Sequence, residues 1–384
     1  MSIFEYDSPS CTLFGFGCIR EIEREIHKRN LKKAFLVADH KLRSTGLVSK
    51  VTDTLDAEGT GYYIYSDFKP NPTTDNVNRG AEQFAANQCD FLISVGGGSA
   101  HDCAKAVSVL AANGGKIEDY RGVNKSRCTY PLIAVTTTAG TGSECTMDYV
   151  VVDEKKNEKY GNFDQNVIPV LSVEDYELMM DMPPSLTAGT GMDALTHAVE
   201  SYVSTDGALI TCELAVSAVR LIFGHLKDAV HRPDQESREA MSVAQFLAGL
   251  SFGNAGCGLI HSMSHQLSAV YDLPHGLCNA ILMPTASRLN MKDKRAIERY
   301  AKLSGLVFPV ECNGMKMQEQ ADYLIARIEK LSEDVGTKRC LAELGVKEED
   351  FSLLADKTLL DTSLRHNLYQ PSKEEIEDAF RSLM

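Results

Sequence analysis

The residues whose types and spacing most clearly suggest chemistry lie in the stretch GMDALTHAVESY, residues 191–202. It places Asp193 and His197 four positions apart, with no proline or glycine between them. Four residues make about one turn of α-helix, so both side chains project from one helix face. A carboxylate oxygen and an imidazole nitrogen on one face can bind a single metal ion.

A second apolar stretch, GLIHSMSHQLSAVYDLPHG, supplies His261, His265 and His275. A histidine among small and apolar residues is either a hydrogen-bonded core residue or a ligand, and two such stretches in one chain favour ligands. We expect no cysteine at ligand spacing with these groups. The set is then oxygen and nitrogen only, which suits Fe(II), Zn, Mn or Co. Spacing alone does not decide which three histidines bind.

A glycine turn stands between a strand pattern and a helix pattern in FLISVGGGSAHDCAKAV. Gly97, Gly98 and Ser99 lie at this turn, where glycines allow a ligand to approach the backbone and the first N–H groups of the helix favour a phosphate. The turn lacks the G-x-G-x-x-G pattern and the G-K-[ST] ending of a P-loop. A plain tight turn with Ser99 as the helix N-cap stays open as an alternative.

Asp39 ends the apolar run KKAFLVAD. A carboxylate at the carboxyl end of a strand can accept hydrogen bonds from a ribose diol and would repel a 2′-phosphate. A solvated loop acid, or an N-cap for the segment that follows, explains the same residue equally well.

Composition excludes several functional classes. The chain has 384 residues with 39 Lys and Arg against 53 Asp and Glu, a formal charge of −14, which disfavours nucleic acid or an anionic membrane as a partner. The N-terminal stretch has no basic segment followed by an apolar core, and we find no uncharged apolar run near 20 residues. The 11 cysteines are scattered along the sequence, which is typical of reduced thiols. Taken together, these observations lead us to expect a cytoplasmic protein without membrane spans.

The periodicity of the sequence predicts two domains. Strand-length apolar runs alternate with amphipathic helical segments in the first half, which predicts an α/β domain with a parallel sheet covered on both faces. A hairpin and one more strand follow, and after Pro183 and Pro184 the pattern is almost wholly helical. We therefore predict domains at residues 1–182 and 183–384.

Several stretches in order resemble the iron-containing (group III) alcohol dehydrogenase family. They are FKPNPTTDNV, GGGSAHDCAK, TTTAGTGSECT, MPPSLTAGTGMDALTHAVESYVS and HSMSHQLSAVYDLPHG. The resemblance implies an N-terminal Rossmann-like dinucleotide domain, an all-α C-terminal domain, and a metal and substrate site in the cleft between them. It further implies a homodimer or higher homo-oligomer.

The resemblance also assigns residues. It implies one divalent metal, Fe(II) favoured and Zn the alternative, held by Asp193, His197, His261 and His275. His265 is then the candidate catalytic histidine, or it orients His261 or Asp193 by a hydrogen bond. The implied NAD(H)-binding residues are Asp39, Asn71, Gly97, Gly98, Ser99, Thr137, Thr138, Thr146 and Lys159.

For the substrate, the resemblance implies a short primary alcohol or its aldehyde, interconverted by hydride transfer to and from the nicotinamide. Asp148 and Phe252 match pocket-lining positions. The segment from Ser363 to Tyr369 departs from the family pattern, and Arg365 within it is a candidate for binding an anionic aldehyde such as sulfoacetaldehyde. A propanediol or lactaldehyde type of dehydrogenase is a further alternative.

Two rival functions fit less well. A dehydroquinate synthase-like lyase needs several phosphate-binding basic residues, which we do not find around these stretches. A metal-storing or structural protein would need no nicotinamide pocket.

Overall fold

The structure, a computed structural model, describes residues 3–156 and 158–384. The chain divides into two units. The sheet unit is Asp7–Asp181, and the helical unit is Met182–Met384 together with residues 3–6. The division falls one residue before the predicted boundary, and residues 3–6 group with the helical unit instead of the sheet unit.

Eight strands are described, and all lie in the sheet unit: β1 Thr12–Phe14, β2 Lys33–Ala38, β3 Gly61–Tyr65, β4 Phe91–Gly96, β5 Leu132–Thr136, β6 Asp148–Asp153, β7 Glu158–Phe163 and β8 Leu171–Glu174. Six of them form a parallel sheet in the order β1-β8-β5-β4-β2-β3, and β6 pairs with β7 as an antiparallel hairpin. The predicted parallel sheet, the hairpin and the strand after it are confirmed. β1 has no counterpart among the predicted strands.

Five helices belong to the sheet unit: α1 Ile22–Lys28, α2 His40–Ser44, α3 Leu47–Glu58, α4 Thr74–Ala86 and α5 Gly98–Asn113. Alternate residues of each central strand face opposite sides of the sheet. On β2, Phe35 packs on the side of α4 and α5, whereas Leu36 packs on the side of α1 and α3. Both faces are therefore apolar, which explains why the central strands have continuous apolar sequences.

The strand order creates a switch point between β2 and β4. From β2 the chain continues outward to β3, and from β4 it continues in the opposite direction to β5. In open α/β sheets, ligands bind outside the carboxyl ends of the strands at such a point. Asp39 follows β2, and the glycine turn follows β4.

Nine α-helices are described after the sheet unit: α6 Pro184–Val203, α7 Leu209–His231, α8 Gln235–Ala255, α9 Leu259–Tyr271, α10 His275–Asn290, α11 Lys294–Val307, α12 Met317–Asp334, α13 Phe351–Leu360 and α14 Lys373–Arg381. No strand occurs among the described residues after β8. The expected helical half is confirmed. Pro184 is the first residue of α6, a position where the missing N–H costs no helical hydrogen bond.

Two glycines let α6 and α10 approach closely. A Cβ on Gly276 would lie 2.3 Å from the carbonyl oxygen of Gly189, so only glycine fits there without a backbone shift. Gly189 lies one helical turn before Asp193, and His275 is the residue before Gly276. The contact between the two helices therefore sets the distance between the side chains of Asp193 and His275.

By length and composition, one described helix could cross a membrane. This is α7, and 39% of its most apolar 18-residue stretch is buried in the protein. Helices α8 and α9 are long and apolar enough to cross a membrane only when they are taken together, and they are bent by 103° at the break between them. One or two such helices are weak evidence for a membrane-spanning segment, because the buried core helices of other proteins are equally long and apolar.

Candidate metal centre and nucleotide-binding turn

Helix α6 carries a third polar side chain on the same face as the predicted Asp193 and His197. Asp193, His197 and Glu200 stand at positions i, i+4 and i+7, and all three are buried. A spacing of four and then three residues keeps the side chains in one stripe. Glu200 is not among the residues predicted from the sequence.

Three acceptor atoms converge beside this stripe. His275 Nε2 lies 3.6 Å from Asp193 Oδ1, and His261 Nε2 lies 3.9 Å from it. All three atoms surround the amide nitrogen of Asn279, at 2.7 Å from Asp193 and 3.2 Å from each histidine. An amide N–H group among three acceptors marks a position that favours positive charge. One carboxylate and two imidazoles grouped in this way fit a divalent metal ion.

The remaining nitrogens of the two histidines are engaged by neighbours. Glu200 Oε2 lies 2.6 Å from His261 Nδ1, and Ser264 Oγ lies 3.1 Å from His275 Nδ1. A hydrogen bond at Nδ1 places the ring proton there and leaves Nε2 as the nitrogen that can bind a metal. These contacts hold both rings with Nε2 toward Asp193.

The four predicted ligands fall into two overlapping groups, and Cys257 joins one of them. One group contains the ligand atoms of Asp193, His261 and His275, and the other contains those of His197, His261 and Cys257. Within each group, the ligand atoms lie within 4.8 Å of one another. The expectation that no cysteine stands at ligand spacing is wrong. Cys257 precedes His261 by four residues and lies in the turn between α8 and α9, which brings its sulfur beside the imidazoles.

Burial and neighbouring charge shift the ionisation of this centre. Burial raises the pKa of Asp193 to about 6. Burial alone would lower the pKa of His261, but its contacts with Cys257 and Glu200 raise that pKa well above its ordinary value. A metal ion would therefore compete with protons for both groups.

His265 lies one turn after His261 on α9, and its ring stacks on that of His275 with centroids 5.3 Å apart. Its Nδ1 lies 2.9 Å from Asp361 Oδ2, so its hydrogen bond goes to Asp361 and not to His261 or Asp193. Burial would raise the pKa of Asp361, but the charge and hydrogen bond of His265 and the N–H of Ser363 hold it below its ordinary value. The side chains of His265 and His275 are 29% and 31% exposed, which makes this side of the centre accessible to a small molecule.

In the sheet unit, the glycine turn leads directly into the N-terminus of α5. The N-cap is Gly97 and no side chain caps the helix. Ser99 lies inside the helix, and its hydroxyl donates to the carbonyl oxygen of Pro70. The alternative of Ser99 as N-cap is therefore wrong, and the first N–H groups of α5 have no side-chain acceptor in the described structure, which suits a phosphate.

The walls of the turn have the features of a ligand cradle. A Cβ on Gly97 would lie 2.9 Å from Thr138 Oγ1, and one on Gly98 would lie 3.3 Å from Thr141. The hydroxyls of Thr138 and Thr146 are buried without a hydrogen-bond partner among the described residues. Buried hydroxyls are normally paired, so two unpaired ones near a glycine turn fit a polar ligand such as a dinucleotide.

The other predicted nucleotide-binding residues lie in the same unit. Thr137 follows β5 and donates its N–H to the carbonyl of Gly96 at 2.9 Å. Lys159 Nζ donates to Asn71 Oδ1 at 3.1 Å, so these two residues from distant parts of the sequence meet. Asp39 accepts from Lys41 N at 2.6 Å through Oδ1 and is the N-cap of α2.

The predicted substrate residues fall in different places. Phe252 on α8 stacks on His197 with ring centroids 4.1 Å apart, which places an aromatic wall at the metal centre. Asp148 begins β6, and its carbonyl accepts from the buried Lys105 Nζ at 2.7 Å. Arg365 is exposed and donates from Nε to His366 Nε2 at 2.8 Å.

Glu200 gives a direct test of the centre. In Glu200→Gln the side chain keeps its size but loses the charge that fixes the proton of His261 on Nδ1. We expect affinity for Fe(II) to fall by about 10–100-fold, as for other partners of metal-bound histidines, with a folded protein by circular dichroism. The measurement is metal content and Fe(II) titration, with the exposed Glu213→Gln as control. Unchanged Fe(II) affinity in Glu200→Gln would contradict the assignment.

Comparisons with known proteins place the whole chain in one family. The model "Iron-containing alcohol dehydrogenase" matches residues 9–176, and "Fe-containing alcohol dehydrogenase family, C-terminal" matches residues 187–384. Alcohol dehydrogenase 4 of Schizosaccharomyces pombe is 42% identical over 100% of this chain and 90% of its own length.

Two solved structures extend the comparison. A 1,3-propanediol oxidoreductase has a TM-score of 0.96 and 37% identity, with 100% of both chains covered. Sulfoacetaldehyde reductase from Bifidobacterium kashiwanohense, in complex with NAD+, has a TM-score of 0.89 and 28% identity, covering 100% of this chain and 99% of that one. The chain belongs to the iron-containing alcohol dehydrogenase family and is an oxidoreductase of that class.

Proposed function

We propose that this protein interconverts a short primary alcohol and its aldehyde, with NAD(H) as the hydride carrier and one divalent metal, Fe(II) favoured over Zn, in the helical unit. The observation that carries the proposal is the convergence of Asp193, His261 and His275 on one position, with His265 beside it. In the proposed set, His197 is the fourth ligand. When bound, the ion supplies Lewis-acid polarisation of the alcohol oxygen and the nicotinamide supplies the hydride acceptor.

The protein's own residues orient the reactants and move the proton. Asp361 holds the ring of His265 through Nδ1, which leaves Nε2 as the nitrogen that exchanges a proton. His265 then takes the hydroxyl proton of the alcohol during oxidation and returns it during aldehyde reduction. Phe252 provides apolar contact for a short carbon chain, and Glu200 keeps the ring of His261 in place.

NAD(H) is favoured over NADP(H) in this proposal. The sulfoacetaldehyde reductase that shares the fold was solved with NAD+. The carboxylate of Asp39 stands at the carboxyl end of β2, beside the switch point, where it would repel a 2′-phosphate. A cytoplasmic location and a homo-oligomeric state complete the proposal as the sequence predicts them.

The first test is the link between metal and turnover. His275→Ala removes one of the three converging ligands, so we expect metal content to fall and NAD+-dependent oxidation of ethanol or 1,3-propanediol to drop by at least about 100-fold. The exposed His231→Ala in α7 serves as control and should retain both. A His275→Ala protein that lacks metal but keeps its full rate would refute the proposed centre.

The second test separates the two roles of Asp39. Asparagine is as good an N-cap as aspartate, so Asp39→Asn preserves the start of α2 and removes only the charge. We expect the ratio of kcat/KM for NADH over NADPH to fall by about fivefold in Asp39→Asn, and also in Asp39→Gly, because a repulsion on the order of 1 kcal/mol is lost. A native preference for NADPH would show that Asp39 is not at the ribose.

An anionic aldehyde is the second candidate substrate. Arg365 contacts His366, and the ring of His366 covers Gly256, the residue before Cys257 at the metal centre. The Nδ1 of His366 lies 2.8 Å from Asp206 Oδ2, which offsets part of the positive charge. A guanidinium in this place suits a sulfonate or carboxylate.

A comparison of aldehydes tests this candidate. If Arg365 binds the anion, kcat/KM for sulfoacetaldehyde exceeds that for propionaldehyde, and Arg365→Ala reduces only the former. The expected loss is at least about tenfold, since hydrogen bonds to charged groups contribute roughly 1.5–3 kcal/mol. Arg288→Ala, which removes an ion pair with Glu329, is the control. Equal kcat/KM values for both aldehydes would contradict anion binding by Arg365 and leave a neutral short-chain aldehyde as the proposed substrate.

A further inference from the structure

Cys257 stands beside two of the proposed metal ligands, and the proposed reaction gives it no role. Its sulfur and the imidazoles of His197 and His261 have ligand atoms within 4.8 Å of one another, and all three residues are buried. In a tetrahedral site with bonds of about 2.0–2.3 Å, ligand atoms are about 3.3–3.8 Å apart. Small side-chain rotations would therefore bring the three atoms around one ion.

The backbone holds Cys257 in this position. It is flanked by Gly256, whose φ is +75°, and by Gly258. A Cβ on Gly258 would lie 2.6 Å from Asn367 Oδ1 and 3.1 Å from Glu200 Oε1, so the turn is pressed against both side chains. The same two oxygens accept the N–H groups of Leu259 and Ile260, at 3.2 Å and 2.6 Å. The turn is thus fixed against α6 by buried hydrogen bonds.

We propose that Cys257, His197 and His261 form an alternative ligand set for a soft divalent ion such as Zn²⁺ or Cd²⁺, which replaces Asp193 and His275 with a thiolate. Both sets contain one anionic ligand, so net charge does not discriminate between them. Ligand softness does, because thiolate favours Zn²⁺ and Cd²⁺ whereas carboxylate favours harder ions. The thiol loses its proton when it binds, and no oxidant or reductant is involved.

The two sets exclude each other. Glu200 engages His261 Nδ1, so His261 has only Nε2 to offer, and both sets need it. The chain therefore binds one ion at this centre, and the ion's softness decides which side chains bind it. An ion on the thiolate set lies away from Asp193 and His275, so we expect Zn²⁺-loaded protein to be less active than Fe(II)-loaded protein.

X-ray absorption of Zn²⁺-loaded protein tests the inference. The exposed Cys128 and Cys340 are replaced by serine in every sample to limit adventitious binding. We expect one sulfur neighbour per zinc at about 2.3 Å, lost in Cys257→Ser and retained in the buried control Cys312→Ser. A zinc shell of only nitrogen and oxygen in the Cys257-containing protein would overturn the proposal.

Affinities give a second readout that does not depend on activity. Cys257→Ser should weaken Cd²⁺ binding by at least about tenfold and leave Mn²⁺ binding within about twofold, whereas Asp193→Asn should do the reverse. Equal losses for both ions, or two ions bound per chain at this centre, would contradict the proposal. The inference rests on the proposed metal centre but not on the substrate. Zinc bound without sulfur in a protein that still oxidises alcohols with Fe(II) would refute only the inference, whereas failure to bind any of these ions would refute both.

Discussion

The proposed metal centre depends on one buried contact, the 2.6 Å hydrogen bond between Glu200 and His261 Nδ1. Glu200 is held on α6, and its other oxygen accepts the N–H of Ile260 at the start of α9. A single carboxylate therefore connects two helices and sets the proton position on His261, a proposed ligand. Removing a partner from such a buried pair leaves an uncompensated charge, which costs several kcal/mol, so the contact is either intact or the centre is rearranged.

Helix α10 reaches the same centre by a different constraint. The close approach of Gly276 to the carbonyl of Gly189 leaves no room for a side chain, so His275 stands at a fixed distance from Asp193. Ser264 then engages Nδ1 of His275. Rigid helices and hydrogen-bonded rings together hold the ligand atoms before any ion binds, which is how proteins limit the energetic cost of assembling a metal site.

The sequence predicts the parts of the site that follow from local periodicity. Asp193 and His197 share a helix face because they are four residues apart, and the strand and glycine turn before α5 follow from an apolar run that ends in three glycines. Glu200 was predictable by the same rule, as it is seven residues after Asp193. Cys257 is four residues before His261, but it lies in a turn before α9, so helical spacing alone does not place it.

Other contacts arise only from tertiary packing. Asp361 meets His265 across 96 residues, and Asn71 meets Lys159 across 88. Nothing in the neighbouring sequence indicates either partner. The grouping of His197 with Cys257 instead of Asp193 is of the same kind, because it depends on which way each buried ring turns among its neighbours.

Anomalous diffraction at the iron edge, measured from crystals of Fe(II)-loaded protein, locates the bound ion directly. We expect one strong peak per chain, bonded to Asp193, His197, His261 and His275, with the carboxylate of Glu200 still hydrogen-bonded to Nδ1 of His261. A peak elsewhere in the chain, or iron bound by Glu200 itself in place of His261, would contradict the proposed metal centre.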